Sequence, residues 1–351
     1  MDKQFERVAG ARKISYDELA HVTNSFSEQN KLGRGGFGEV YKGLFNDSNG
    51  FSEGNIYVAV KRIFEVSIQG IKDYTSELMI ASQVRHKNLI QLIGWCHEKR
   101  ELLLVFEYMP NLSLDCHLFN AEKLLTWEQR YTIGKDLASA LNYLHEECKQ
   151  CVLHRDIKSS NVMLDANFNP ILGDFGLARL MHYDMRSQTL QGGTEGYIAP
   201  ECYETGKSTK ESDVYSYGVV LLEIACGRKP FVPTEDGNWV RLVKWVWDLY
   251  GSGKLFEAVD QKLYGDFDRE AMKRLMIVGL SCAHPHYQLR PKIGEAMNML
   301  KFIEEPYTLP ANFPQPTHPI PSGSLTSSDS SNFSSSFEAS LIQHRSRARL
   351  D

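Results

Sequence analysis

No apolar run in this 351-residue sequence approaches the ~20 residues that span a bilayer. The longest, residues 219–226, is interrupted by Glu223. Residues 1–7 (MDKQFER) are charged and lack the apolar stretch of a secretory signal. Neither sign of charge prevails. The 39 Lys and Arg against 44 Asp and Glu leave a net −5, which makes no electrostatic case for a nucleic-acid partner. Cysteines are few and scattered; of seven, only Cys148 and Cys151 form a C-x-x-C. No second close pair or histidines at ligand spacing accompany them, so a zinc or redox site is not expected. The thiols read as reduced ones of a cytosolic compartment, and the chain as written reads as soluble.

The 42% hydrophobic and 11% aromatic content supplies a sizeable interior, and the length calls for two lobes. Residues 1–25 are polar, with a capped, weakly amphipathic helix expected over 15–24. Between 26 and 108, β-rich runs such as 57–63 and 102–108 alternate with turns, and residues 46–55 read as a loop. One helix interrupts them, carrying Ile71, Tyr74, Leu78 and Ala81 on one face. Beyond Met109 the texture is helical: Ile133, Leu137, Leu141 and Leu144 recur every three or four residues, and 214–226 and 240–250 are apolar as buried helices are. After residue 305, six prolines (Pro306, Pro310, Pro314, Pro316, Pro319, Pro321) precede ten serines within 322–340. Such a tract buries too little apolar surface to offset its ordering entropy, so 306–351 is expected to be a disordered tail.

Gly33-Arg34-Gly35-Gly36-Phe37-Gly38 fits G-x-G-x-x-G, a weak signal alone. A dinucleotide-binding version follows a strand and opens a helix. Here Glu28 to Leu32 hold no apolar strand core, and Glu39 to Gly43 read as a strand, which suits glycines folding closely over phosphates between two strands. A P-loop NTPase is excluded, because the Gly-Lys-Ser at 206–208 has Glu201 where its first glycine should stand. Lys61 ends the strand-like Val58-Ala59-Val60-Lys61, and a buried ammonium needs a partner; the candidate is Glu77, sixteen residues on. Then come His154-Arg155-Asp156-Ile157-Lys158-Ser159-Ser160-Asn161, Asp174-Phe175-Gly176, and Ala199-Pro200-Glu201 after Gly193-Thr194.

These motifs, in this order and spacing, resemble the protein-kinase superfamily over about 26–303. The resemblance implies a bilobal α+β fold, with a small β-rich lobe (26–108) carrying one key helix and a larger, mainly helical lobe (109–305). ATP and Mg²⁺ (or Mn²⁺) are the implied cosubstrate and metal. Phosphoryl transfer asks a protein mainly to position groups and offset charge. Asp174 and Asn161 are the implied metal ligands, Lys61 held by Glu77 the grip on the α- and β-phosphates, Asp156 the acceptor of the substrate hydroxyl proton, and Lys158 the counter-charge. The resemblance also puts Leu32, Val40, Ala59 and Met163 around the adenine, the Met109 backbone on its edge, Phe106 behind it, and Gly33, Gly35, Gly36, Phe37 and Gly38 over the phosphates. His154, Arg155, Phe175, Gly176, Glu201, Asp213 and Arg290 are the implied structural motif residues. Lys158 and Thr194, with Thr194 reaching Asp156, imply a serine/threonine kinase, since tyrosine kinases typically carry an alanine- and arginine-containing loop there. Ser187 and Thr189 are the expected autophosphorylation sites, with Arg155 as receiver of the phosphate.

Further stretches, including Gly94-Trp95-Cys96-His97, Met109-Pro110-Asn111 and Tyr143-Leu144-His145-Glu146-Glu147, resemble plant receptor-like kinases, above all the cytosolic part of the L-type lectin group. Leu112, Ile171 and Gly192 depart from that pattern without touching a phosphate, metal or proton-transfer position. The implied partners are ATP, proteins bearing Ser or Thr, and a second copy in trans; a membrane enters only through a receptor portion absent from this sequence, at the cytoplasmic side of the plasma membrane. Two alternatives stand beside this. One is a pseudokinase-like scaffold that binds nucleotide without turnover, although Lys61, Asp156 and Asp174 are all present. The other concerns extent: a kinase in its own right, or a receptor fragment starting at an internal methionine.

Overall fold

The computed structural model describes residues 11–35, 38–46, 54–63, 68–120, 124–181, 188–189, 192–233 and 238–315, with backbone alone at 68–69 and 188–189. Gly36, Phe37, Ser187, and the tail from residue 316 onward lie outside the described residues. Two compact units emerge. One holds the described residues up to Gln83 together with Gln91–Tyr108; the other holds Val84–Ile90 and the described residues from Met109 on.

The first unit is built on a six-stranded sheet. Strands β2 (Lys31–Gly35), β3 (Gly38–Phe45), β4 (Ile56–Ile63), β6 (Glu101–Glu107) and β5 (Leu92–Glu98) neighbour one another in that order and pair antiparallel. Alternation in β4 sends Val58 and Val60 to one face and Ala59 and Lys61 to the other. The first face forms the core with Tyr41, Phe45, Leu103 and Val105. Covering it is α1 (Tyr16–Val22), capped by the Ser15 hydroxyl, which accepts from the Glu18 N–H at 3.2 Å. Leu19 and Val22 of α1 join the same core, along with Ile14 and Phe26.

A further strand, β1 (Arg12–Lys13), runs parallel beside β5, pairing Arg12 with Gly94 and Lys13 with Trp95. Glycine is required at 94, since a Cβ there would overlap the Ile14 side chain and lie 2.7 Å from the Arg12 carbonyl. The sequence division at residue 25 therefore does not coincide with a break in packing. Helix α2 (Ile68–Ala81) buries Tyr74, Leu78 and Ala81, and the Tyr74 hydroxyl donates to the Cys96 carbonyl of β5 at 3.2 Å.

In the second unit, helices α3 (Leu114–Phe119), α4 (Trp127–Asn142), α5 (Pro200–Thr205), α6 (Lys210–Cys226), α7 (Leu242–Gly251), α8 (Arg269–Cys282) and α9 (Ile293–Leu300) dominate. Helix α6 is buried from Ser212 to Cys226, as an all-round apolar helix must be. It starts at a Thr209 capping box and stops at Gly227, whose φ of +60° closes the helix. Helix α4, with Ile133, Leu137 and Leu141 buried, runs on into a π turn, Tyr143–Glu147. Two small antiparallel ribbons follow: β7 (Val152–Leu153) with β10 (Arg179–Leu180), and β8 (Val162–Leu164) with β9 (Pro170–Leu172). They fix both ends of the loops carrying residues 154–161 and 173–178.

The expectation of disorder from residue 306 fails for 306–315. There Trp247 Nε1 of α7 donates to the Pro310 carbonyl at 2.9 Å and the Tyr250 hydroxyl to that of Leu309 at 3.3 Å. The Phe313 ring meets Trp247 edge-on at 5.6 Å, and Leu309 is buried. Prolines hold this segment extended at little entropic cost, while Leu309 and Phe313 supply what the neighbouring serines cannot. Among the described residues, no helix is long and apolar enough to cross a membrane.

Candidate active site

In the first unit, strand register collects side chains on the sheet face opposite the core. Val40 pairs with Lys61 and with Gly33, Ala59 with Phe106, and Lys61 with Leu104. Directly paired residues share a face, so Gly33, Val40, Ala59, Lys61 and Phe106 lie together. Val40, Ala59 and Leu32 are half-buried, whereas Phe106 is buried. Gly38, opposite Gly35 at the end of the β2–β3 pair, leaves no room for a side chain: a Cβ would overlap the Arg62 carbonyl. Lys31 and Glu39 brace the base of this pair at 2.8 Å.

Lys61 and Glu77 meet as expected of a buried cation. The ammonium lies 2.8 and 3.0 Å from the two carboxylate oxygens, and Glu77 is 2% exposed. Glu77 stands on α2 and Lys61 on β4, so the pair ties helix to sheet.

The second unit gathers the loop motifs. Asp156, 5% exposed, accepts at Oδ1 from the Thr194 hydroxyl at 2.8 Å. At Oδ2 it meets Lys158 Nζ at 2.9 Å and Asn161 Nδ2 at 3.1 Å. Lys158 also donates to Thr194 at 2.9 Å, and Asn161 Nδ2 to the Asp156 carbonyl at 2.8 Å. Asp174 sits in the left-handed region at φ +64°, a conformation that costs about 1–3 kcal/mol away from glycine and is held only where its surroundings impose it. Met163, on β8, is half-buried. The Met109 carbonyl accepts from the Leu112 N–H at 3.4 Å.

Asp213, at the start of α6, holds the loop from beneath. It accepts from the N–H groups of His154 (2.9 Å) and Arg155 (2.8 Å), with His145 Nε2 at 3.0 Å. His154 Nε2 donates to the Gly173 carbonyl at 3.0 Å, while Nδ1 accepts from the Asp156 N–H at 3.4 Å. Burial lowers the His154 pKa, so the ring is neutral, consistent with one donor and one acceptor nitrogen. Its ring packs on Phe175, fully buried, at 5.2 Å. The Gly176 carbonyl accepts from Arg179 at 3.2 Å. Elsewhere Arg290 grips Glu201 bidentately at 2.7 and 2.8 Å, and also donates to the His284 and Glu211 carbonyls at 2.8 Å. Thr189 lies in β11 (Gln188–Thr189), paired with β12 (Lys207–Ser208).

The sequence reading passed over Tyr197, Ser159, His145 and Glu223. The Tyr197 hydroxyl donates to Glu223 Oε1 at 2.7 Å and lies 3.2 Å from the Ser159 hydroxyl. The signal for Glu223 was visible, since an acid interrupting the longest apolar run must be buried with it. The signals for Tyr197 and Ser159 lie only in their distant partners. Among the described residues, no group of three or more His, Cys, Asp or Glu side chains could hold a metal ion.

Comparison with known proteins bears directly on this arrangement. The protein kinase domain family matches residues 26–278. The L-type lectin-domain containing receptor kinase IX.1 of Arabidopsis thaliana is 48% identical over 349 residues, covering 98% of this chain and 52% of that protein. Receptor kinase IX.2 of the same plant is 48% identical over 95% of this chain and 50% of its own length. Receptor kinase SIT2 of Oryza sativa subsp. japonica is 43% identical over 88% and 45%. The chain thus spans about half the length of the curated relatives it matches. By the extent of these matches, the chain belongs to the protein kinase family, as a catalytic domain of the plant receptor-like kinase type.

Proposed function

We propose that this chain transfers the γ-phosphoryl group of ATP to serine and threonine hydroxyls of proteins. The observation that carries the reading is the Asp156 carboxylate held between Thr194, Lys158 and Asn161. Asp156 takes the proton of the incoming hydroxyl as its oxygen bonds to the γ-phosphorus and the bond to the β–γ bridging oxygen breaks, releasing ADP. Lys158, already directed at Asp156, offsets charge on the group in transit. Thr194 aligns carboxylate and ammonium through its single hydroxyl.

In the first unit, Lys61 takes the α- and β-phosphates, oriented by Glu77. Val40, Ala59 and Leu32 offer half-buried apolar surface to adenine, with Phe106 behind them. Gly33, Gly35, Gly36, Phe37 and Gly38 cover the phosphates.

Asn161 and Asp174 would hold Mg²⁺. With its amide nitrogen committed to Asp156, Asn161 has its carbonyl oxygen left for a cation, and two oxygen donors suit a metal that keeps water and phosphate in its shell. When bound, the metal supplies neutralisation of phosphate charge.

The relatives' names support a receptor setting. In this proposal the chain works at the cytoplasmic side of the plasma membrane, phosphorylates a second copy at Ser187 or Thr189, and docks the new phosphate on Arg155. The test is purified chain with γ-labelled ATP, Mg²⁺ and a basic acceptor protein. Incorporation into serine and threonine is expected, and Asp156→Asn lowers it by roughly 10²- to 10⁴-fold. Labelling no better than that of the variant would point to a nucleotide-binding scaffold; label on tyrosine alone would overturn the acceptor class.

A further inference from the structure

Arg241 ends β14 (Trp239–Arg241), which pairs antiparallel with β13 (Phe231–Pro233) and sets Arg241 opposite Phe231. Paired residues share a face, and the guanidinium lies over the Phe231 ring at 5.4 Å and over that of Tyr203, on α5, at 6.0 Å. Two rings thus hold the planar group in place. What it lacks is an anion. Three buried arginines of the second unit hold a carboxylate each: Arg130 that of Asp260, Arg274 that of Glu305 and Arg290 that of Glu201. Among the described residues Arg241 has none; its Nη1 is buried without a hydrogen-bond partner, and so is the Tyr203 hydroxyl. Donors left without an acceptor are costly, and an anion from outside would offset that cost. Arg241 is half-buried, so part of the side chain is open to such a group.

The hairpin sits against the loop that carries Thr194. A Cβ on Gly196 would lie 2.7 Å from the Pro230 side chain and 3.1 Å from Cε2 of Phe231. Arg241 is therefore one aromatic ring away from the backbone two residues past Thr194, whose hydroxyl donates to Asp156. A substrate chain with its own hydroxyl at Asp156 comes level with Arg241 within roughly two to five residues, at ~3.3 Å for each. We propose that Arg241 is a substrate-binding residue that reads an aspartate or glutamate close to the acceptor serine or threonine. This deepens the function proposed above and rests on it, since Asp156 must face the acceptor hydroxyl. One planar fork matches the single charge of a carboxylate, whereas a phosphate carries nearly two and calls for a second cation. Lys244, in the first turn of α7, is already committed to Asp248 at 2.6 Å.

The test is a series of peptides with a single acceptor serine, phosphorylated by the full chain and by its Arg241→Gln and Arg241→Met variants. Glutamate replaces alanine, one place at a time, at each of about five positions on either side of the serine. At one position or two neighbouring ones, glutamate should raise kcat/KM about tenfold over alanine, and lysine there should lower it. In both variants the glutamate-to-alanine ratio should fall below about twofold, a comparison that does not depend on how much of the variant is folded. Methionine keeps a long apolar stem between the two rings, so its loss reports the charge rather than the packing. No glutamate preference in the wild type, or the same preference in both variants, would overturn the assignment. Phosphoserine preferred about tenfold over glutamate at that position would overturn the carboxylate class. Glu235 and Asp236 belong to the turn at 234–237, outside the described residues; a preference seen only after both are changed to their amides would assign Arg241 to the chain's own acids instead and overturn the proposal. A wild-type chain that phosphorylates none of the peptides would overturn the functional reading, and the role of Arg241 with it.

Discussion

Asp213 shows how one side chain can hold a strained loop. Arg155 has φ +72°, a conformation that costs a non-glycine residue about 1–3 kcal/mol. The two oxygens of Asp213 accept from consecutive N–H groups at 154 and 155, which keeps the backbone there. Burial pushes the Asp213 carboxyl up, but the hydrogen bonds from His145 and the Arg155 N–H outweigh it, and the net shift is downward. Its stabilisation is therefore complete above the ordinary carboxylate range and is lost as pH falls through the lowered pKa. Asp213→Asn turns one acceptor into a donor facing donors, so a loss of about 2–4 kcal/mol is expected. In a calorimeter this lowers Tm by roughly 5–10 °C at neutral pH, with the gap to wild type narrowing in strong acid.

At the level of elements, the sheet of the first unit depends on a strand with no strand pattern. Arg12 and Lys13 carry neither alternation nor β-branching, and β1 exists because Gly94 leaves its neighbour's edge bare. Gly94→Val should expel β1, cost about 1–3 kcal/mol, and speed hydrogen exchange at the Ile14 amide, which now donates to the Trp95 carbonyl at 2.9 Å. Unchanged exchange at Ile14 would show that β1 docks by other means. By contrast β4, β6 and the buried face of α2 were legible beforehand, because alternation and three-to-four spacing are local properties of any amphipathic element. The burial of α1 was not, since its Leu19 and Val22 are two apolar residues whose partners are strands far along the chain.

For the molecule as a whole, the packed chain runs past the family match at 278 and past residue 305. Residues 306–315 cover Trp247, which is 0% exposed. Ending the chain after Glu305 uncovers that indole and frees two donors, so it should cost about 2–3 kcal/mol relative to a chain ending after Gln315. Equal melting of the two truncations would count against the segment as part of the fold. Composition concealed this, because proline and serine content reports average solubility, whereas two apolar side chains and two accepting carbonyls decide the docking.

The proposed chemistry was legible in the sequence alone, because the atoms that phosphoryl transfer would need are concentrated in short stretches: eight residues from His154 to Asn161, three from Asp174, and a lysine ending a strand. What holds those atoms was decided by tertiary structure. Asp213 reaches Arg155 across 58 positions and Tyr197 reaches Glu223 across 26. Hydrogen-bond partnership and burial depend on which segments approach in space, and no local spacing encodes that approach.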